Sequence, residues 1–169
     1  MPQDNDRLFP ESRKMEGRCI AGCLKSSILQ AIYREAQRSG QPIYCIVDDT
    51  IASHTRPSSQ AVHPIEAAYF HQSHLKGCQD YGHQVVSVML SCNGITLNYA
   101  VILYDKSRSK IQIVQEIAEE LPAAPVISYF LCDSWYTTAK VMDRFIRKGF
   151  YTVGALKTNR ILYPCGIRQ

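Results

Sequence analysis

Apolar and polar residues recur with two different periods along this chain. Leu24, Ile28, Leu29, Ile32, Tyr33 and Ala36 fall at helical spacing, with Lys25, Arg34, Glu35 and Arg38 between them, which predicts a helix over 24–39. Gly40 and Pro42 stop it. Residues 43–48 are apolar on both faces and predict a central strand. Residues 83–92 and 95–103 are strand-like, and Asn93-Gly94 between them predicts a hairpin, because both residues tolerate positive φ. Ile111, Val114, Ile117 and Ala118 face one way in a predicted helix over 109–120, closed by Pro122 and Pro125. A strand over 126–132 comes next. A helix over 137–148 then turns Val141, Phe145 and Ile146 inward and Arg144, Arg147 and Lys148 outward, and Gly149 ends it. A last strand is expected over 151–156. Residues 1–20 read as irregular, and 50–81 as a long polar insert holding His54, His63, His71, His74, Pro57 and Pro64.

The order is therefore a short helical segment, then β-β-β-α-β-α-β. An antiparallel hairpin feeds a helix that crosses to a parallel strand, and right-handed crossovers place the 126–132 strand beside the 43–48 strand. This α/β arrangement around a mixed sheet resembles the ribonuclease H-like fold. Residues 1–40 are expected to form a tail and helix, and 41–169 a core that is incomplete at its C-terminal end.

Composition narrows the picture. The 169 residues are 46% apolar and 20% charged, enough for one domain with a real core. The net charge of +4 agrees with a nucleic-acid partner without requiring one. Seven cysteines, several of them inside apolar strands (Cys45, Cys92, Cys132), read as buried free thiols. Residues 1–14 are polar and no run of 18 apolar residues occurs, so the expectation is a cytoplasmic protein with no membrane span. No phosphate-binding glycine loop, dinucleotide fingerprint or nucleophile elbow is present.

The chemistry lies at two strand ends. Tyr44-Cys45-Ile46-Val47-Asp48-Asp49-Thr50 and Val126 to Asp133-Ser134 each finish an apolar strand with a carboxylate. Either group also reads as a turn or helix cap, since Asp, Thr and Ser bond readily to nearby backbone. Together, on strands expected to be neighbours, they form a pair whose mutual repulsion a divalent cation relieves. Metal ions so held can activate an attacking oxygen and stabilise a leaving one, the core of phosphoryl transfer.

Five segments carry a closer resemblance: Val47-Asp48-Asp49-Thr50-Ile51 with Thr55-Arg56-Pro57-Ser58-Ser59-Gln60; His63-Pro64-Ile65-Glu66; Tyr81-Gly82-His83-Gln84-Val85-Val86; Cys132-Asp133-Ser134-Trp135-Tyr136; and Gly154-Ala155-Leu156-Lys157-Thr158-Asn159-Arg160. In this order they resemble the DDE transposases of bacterial insertion sequences. The resemblance implies metal-dependent DNA strand cleavage and transfer, with Mg²⁺ or Mn²⁺ as cofactor. Its partners would be transposon-end and target DNA, and it admits a homodimer in the DNA complex. It places the first catalytic, metal-binding Asp at Asp49, with Asp48 as its substitute, and the second at Asp133. The third acid of the family, a Glu within Tyr-x-x-Arg-x-x-x-Glu, has no match here, because Glu119 and Glu120 precede the second Asp. The expectation is a fragment of a transposase core, inactive alone, that exposes one face of its sheet.

Arg56, Lys157, Asn159 and Arg160 are the candidate DNA contacts, by charge and by the fork of arginine. The alternative for the segment after strand five is a solvated loop. His71, His74, His83 and Cys78 fit no familiar zinc spacing, and Trp135 reads as packing rather than as a base-stacking platform. Two other functions compete. A phospho-acceptor receiver domain also pairs acids with a later Lys, but the Asn93-Gly94 hairpin breaks its purely parallel topology. A non-catalytic DNA-binding or oligomerising remnant is favoured by the unmatched Glu.

Overall fold

The computed structural model describes residues 11–58, 65–73 and 76–156, with side chains from residue 22 onward. Helix α1 (Glu11–Ser39) leads into β1 (Ile43–Ser53), followed by β2 (Tyr69–Ser73), β3 (Cys78–Cys92) and β4 (Ile95–Tyr104). Then come α2 (Lys110–Glu120), β5 (Ser128–Cys132), α3 (Ala139–Arg147) and β6 (Phe150–Gly154). The strands form one mixed sheet in the order β2-β3-β1-β5-β6, with β4 also paired to β3. β3 runs antiparallel to β1, β2 and β4, whereas β5 is parallel to both β1 and β6.

The hairpin at Asn93-Gly94 forms as the sequence predicts, with φ of 48° and 80°. Gly40 (φ 67°) closes α1 by donating its N–H to Ala36 O, and Gly149 (φ 84°) follows α3. The crossover also holds: β5 lies beside β1, with Val47 opposite Cys132.

Four expectations need correction. α1 is not a short segment preceded by irregular chain, since the helix already runs from Glu11. No proline interrupts it between Pro10 and Pro42, and Glu, Arg, Lys, Met and Ala propagate a helix without an apolar stripe. β1 continues to Ser53, so Asp49 lies inside the strand rather than at its exit. The 50–81 insert is partly strand: β1 extends into it, and β2 pairs with the first residues of β3, the turn between them including Gly77 (φ 65°). Finally, Ile146, expected inward, is exposed, as is Leu24 of the apolar series in α1.

All the helices that reach the core cover one face. Ile43, Cys45 and Val47 of β1 meet Val86, Val88 and Leu90 of β3 and Phe130 of β5 there, under Ile32, Ala36, Ile113, Val114, Ile117, Val141 and Phe145. Phe130 and Phe145 stack at 3.7 Å, and Phe145 meets Phe150 edge-on at 5.8 Å. On the other face Tyr44, Tyr129 and Tyr151 form a ladder of rings 5.6 and 5.7 Å apart, with Val101, Leu103 and Val153 also exposed. Among the described residues this face of the sheet is exposed at these positions.

Candidate active site

The parallel ladder between β1 and β5 ends at Val47 and Cys132, and the acidic residues come immediately after it on both strands. Alternation along β1 sends successive side chains to opposite faces. Cys45, Val47 and Asp49 therefore share the helix-covered face, and Asp48 points the other way. The Asp48 carboxylate turns back on its own chain, where Oδ1 accepts the Asp49 N–H at 2.8 Å.

Asp49 is held by three donors from three parts of the chain. Oδ1 accepts the Tyr136 hydroxyl at 2.9 Å. Oδ2 accepts Gln84 Nε2 of β3 at 2.5 Å and Lys110 Nζ of α2 at 2.9 Å. Asp133 is anchored by backbone: Oδ1 accepts the N–H of Trp135 at 2.9 Å and of Tyr136 at 3.3 Å, an Asx turn that swings the chain toward α3. The cap of α3 itself is Thr138, not Asp133 or Ser134. Tyr136 is fully buried and thus touches both carboxylates, one through its hydroxyl and the other through its amide. Burial, then the neighbouring Asp49 carboxylate, push its pKa far above the ordinary tyrosine value, so it is a neutral donor at any working pH.

Thr137 pins the other side of the turn. Its hydroxyl lies 2.9 Å from Asp133 O and 2.8 Å from Ala155 O, tying the loop after β5 to the end of β6. Gly154 permits this approach, because a Cβ there would collide with Thr137 Oγ1.

The other candidates fall in different places. Arg56 is exposed, its guanidinium 4.8 Å above the Phe70 ring. Lys157, Asn159 and Arg160 lie outside the described residues, as do His63 and His74. Among the described residues no cluster of three or more His, Cys, Asp or Glu side chains is placed to hold a metal, so no zinc site forms there from His71, His83 and Cys78. His83 instead bonds to His54 Nε2 and to Glu66 O, each at 2.8 Å, and His71 packs against Tyr104. Trp135 is not core packing: it is 43% exposed, with Lys110 Nζ 4.9 Å from its ring centre. Tyr136 and Gln84 stood inside the quoted motifs but were given no role there. Lys110 had no motif signal, only its place at the start of a helix.

Residues 39–165 match the family described as the transposase DDE domain. The chain belongs to the DDE transposase family. No curated protein and no solved structure matches it. The mixed sheet and its helices are those of a ribonuclease H-like fold in a DDE domain. DDE transposases act on DNA and in general use a divalent metal. The donors of this DDE domain suit such an ion: Asp49 and Asp133 offer hard carboxylate oxygens, and Oδ2 of Asp133 has no hydrogen-bond partner among the described residues. No helix among those residues is long and apolar enough to cross a membrane.

Proposed function

We propose that this domain is the part of a DNA transposase that cleaves and transfers strands of an insertion sequence, with Asp49 and Asp133 as its catalytic metal ligands and Mg²⁺ or Mn²⁺ as the ion. The observation that carries the reading is Tyr136, one buried residue bonded to both carboxylates across the β1–β5 boundary. An ordinary turn aspartate needs no such link. The ion, when bound, supplies the positive charge that favours attack on a phosphodiester and departure of the leaving oxygen. The chain's own residues supply position. Gln84 and Tyr136 fix the plane of the Asp49 carboxylate, and the Asx turn fixes Asp133. Arg56, Lys157, Asn159 and Arg160 are proposed as DNA contacts, supported by their places in the family motifs and, for Arg56, Lys157 and Arg160, by charge.

The test is nicking of supercoiled plasmid in Mn²⁺ by the chain completed with a family segment that carries the third acid, with DNA binding measured alongside by fluorescence anisotropy. Asp49→Ala and Asp133→Ala should each abolish nicking and leave binding largely intact. A variant that still nicks would show the ligands to be misassigned. A parent chain that binds without nicking supports the non-catalytic reading instead.

A further inference from the structure

Lys110 stands at an unusual point. It is the first residue of α2, directly after the N-cap Ser109, where the helix dipole disfavours a cation. Solubility does not explain it, because its side chain is only 14% exposed. Its position is nevertheless fixed. Ser109 and Gln112 form a reciprocal capping box that sets the start of α2. From there the ammonium lies 2.9 Å from Asp49 Oδ2 and 4.9 Å from the centre of the Trp135 ring. Trp135 in turn belongs to the Asp133 turn, its N–H donating to that carboxylate. Lys110 thus has its charge balanced by one acid, while its ammonium lies over the ring of a residue bonded to the other.

We infer that Lys110 is a built-in counter-cation for the acidic pair, and that it and a divalent ion are alternatives at Asp49 Oδ2. The inference rests on the reading of Asp49 as a metal ligand. An ammonium and a divalent ion repel each other and compete for the same carboxylate oxygen, which Gln84 also occupies, so entry of the ion moves Lys110 off Asp49. The Trp135 face gives the displaced ammonium a place to remain near the site, since a cation over an indole is favourable without a carboxylate partner. Lys110 therefore sets the metal affinity of the site. It lowers the repulsion between Asp49 and Asp133 when no ion is there, and it makes the ion displace a charge on arrival.

Mn²⁺ binding to the whole chain, followed by electron paramagnetic resonance of the free ion, tests this without DNA and without activity. Lys110→Met keeps the length and removes the charge. It should bind Mn²⁺ at least about 10-fold more tightly than the parent chain, equivalent to about 1.4 kcal/mol. Lys110→Arg, which keeps the charge, should stay within about 3-fold of the parent. Lys110→Gln serves as a second neutral variant should the methionine perturb folding, which circular dichroism checks. Unchanged or weaker Mn²⁺ binding in folded Lys110→Met and Lys110→Gln would overturn the inference. Asp49→Asn separates the two layers: if it binds Mn²⁺ like its parent, Asp49 is not a ligand, and both the underlying reading and the inference fall. Loss of binding in Asp49→Asn with no gain in the neutral Lys110 variants overturns the inference alone.

Discussion

Replacing Tyr136 by Phe removes one oxygen from the centre of the site. The ring is fully buried and stays, so no large cavity opens. What is lost is the 2.9 Å hydrogen bond from the hydroxyl to Asp49 Oδ1. A hydrogen bond to a charged acceptor contributes about 1.5–3 kcal/mol net. The lower part of that range applies, because the Asp49 side chain is 14% exposed, water can reach the freed oxygen, and Oδ2 keeps two donors. We therefore expect a loss of about 1.5 kcal/mol, or a fall in Tm of about 3–6 °C for a chain of this size. Urea unfolding at neutral pH reads it directly, with a lower midpoint and an unchanged slope. The loss should be the same at pH 7 and pH 9, because the raised pKa of Tyr136 keeps the hydroxyl protonated across that span. A loss below about 0.5 kcal/mol, well outside the expected range, would mean that Asp49 does not depend on this donor. A loss that disappears at pH 9 would refute the buried, neutral hydroxyl.

Gly154→Ala should destabilise the domain by about 1–3 kcal/mol, because its Cβ would collide with Thr137 Oγ1 and press on Cys132 Sγ at 3.2 Å, whereas Gly22→Ala, which meets nothing within 4 Å in α1, should be neutral or stabilising in the same assay. His71 is buried, and that burial, followed by the Lys106 ammonium, holds its pKa below the ordinary value. Its contribution to stability is complete above the unfolded-state pKa of about 6.5 and is lost as pH falls through the lower folded-state value. His71→Gln should therefore flatten the decline in Tm below that pH, and an identical decline would refute the assignment. Mass-spectrometric mapping of iodoacetamide labelling should show Cys23 and Cys78 modified quickly and Cys45 and Cys92 only after unfolding, since the last two are completely buried and burial raises the Cys45 thiol pKa. Rapid labelling of Cys45 in the native protein would contradict the packing of β1.

The sheet was legible where hydrophobic period and turn chemistry agreed. Asn93-Gly94, Gly149 and the apolar runs at 43–48 and 126–132 set the hairpin, the stop of α3 and the parallel pair. β2 was missed because Tyr69-Phe70-His71-Gln72-Ser73 has no apolar alternation: one side of that strand packs His71 on Tyr104, and the other sets Phe70 against Tyr81. The start of α1 was missed for a related reason, since a helix can be extended by residue propensity alone. Within the site, the two aspartates were visible as sequence, but the donors that orient them were not. Lys110 lies 61 positions from Asp49 and Tyr136 lies 87 away, distances over which local pattern carries no information.

Those separations also bear on how the chain acquires its site. The three bonds on Asp49 close loops of 35, 61 and 87 residues. Closing each loop costs chain entropy that must be met before the contact forms, and a polar contact at the rim returns little until the strands beneath it are paired. The β3–β4 hairpin and the apolar β1–β3 ladder therefore form first, and the Asp49 cluster is among the last contacts to lock. Mutations at Gln84, Lys110 or Tyr136 should then speed unfolding while leaving the refolding rate almost unchanged. A chain cut after Ser134 would retain both aspartates but lose the Trp135 and Tyr136 amides and the Tyr136 hydroxyl that arrange them.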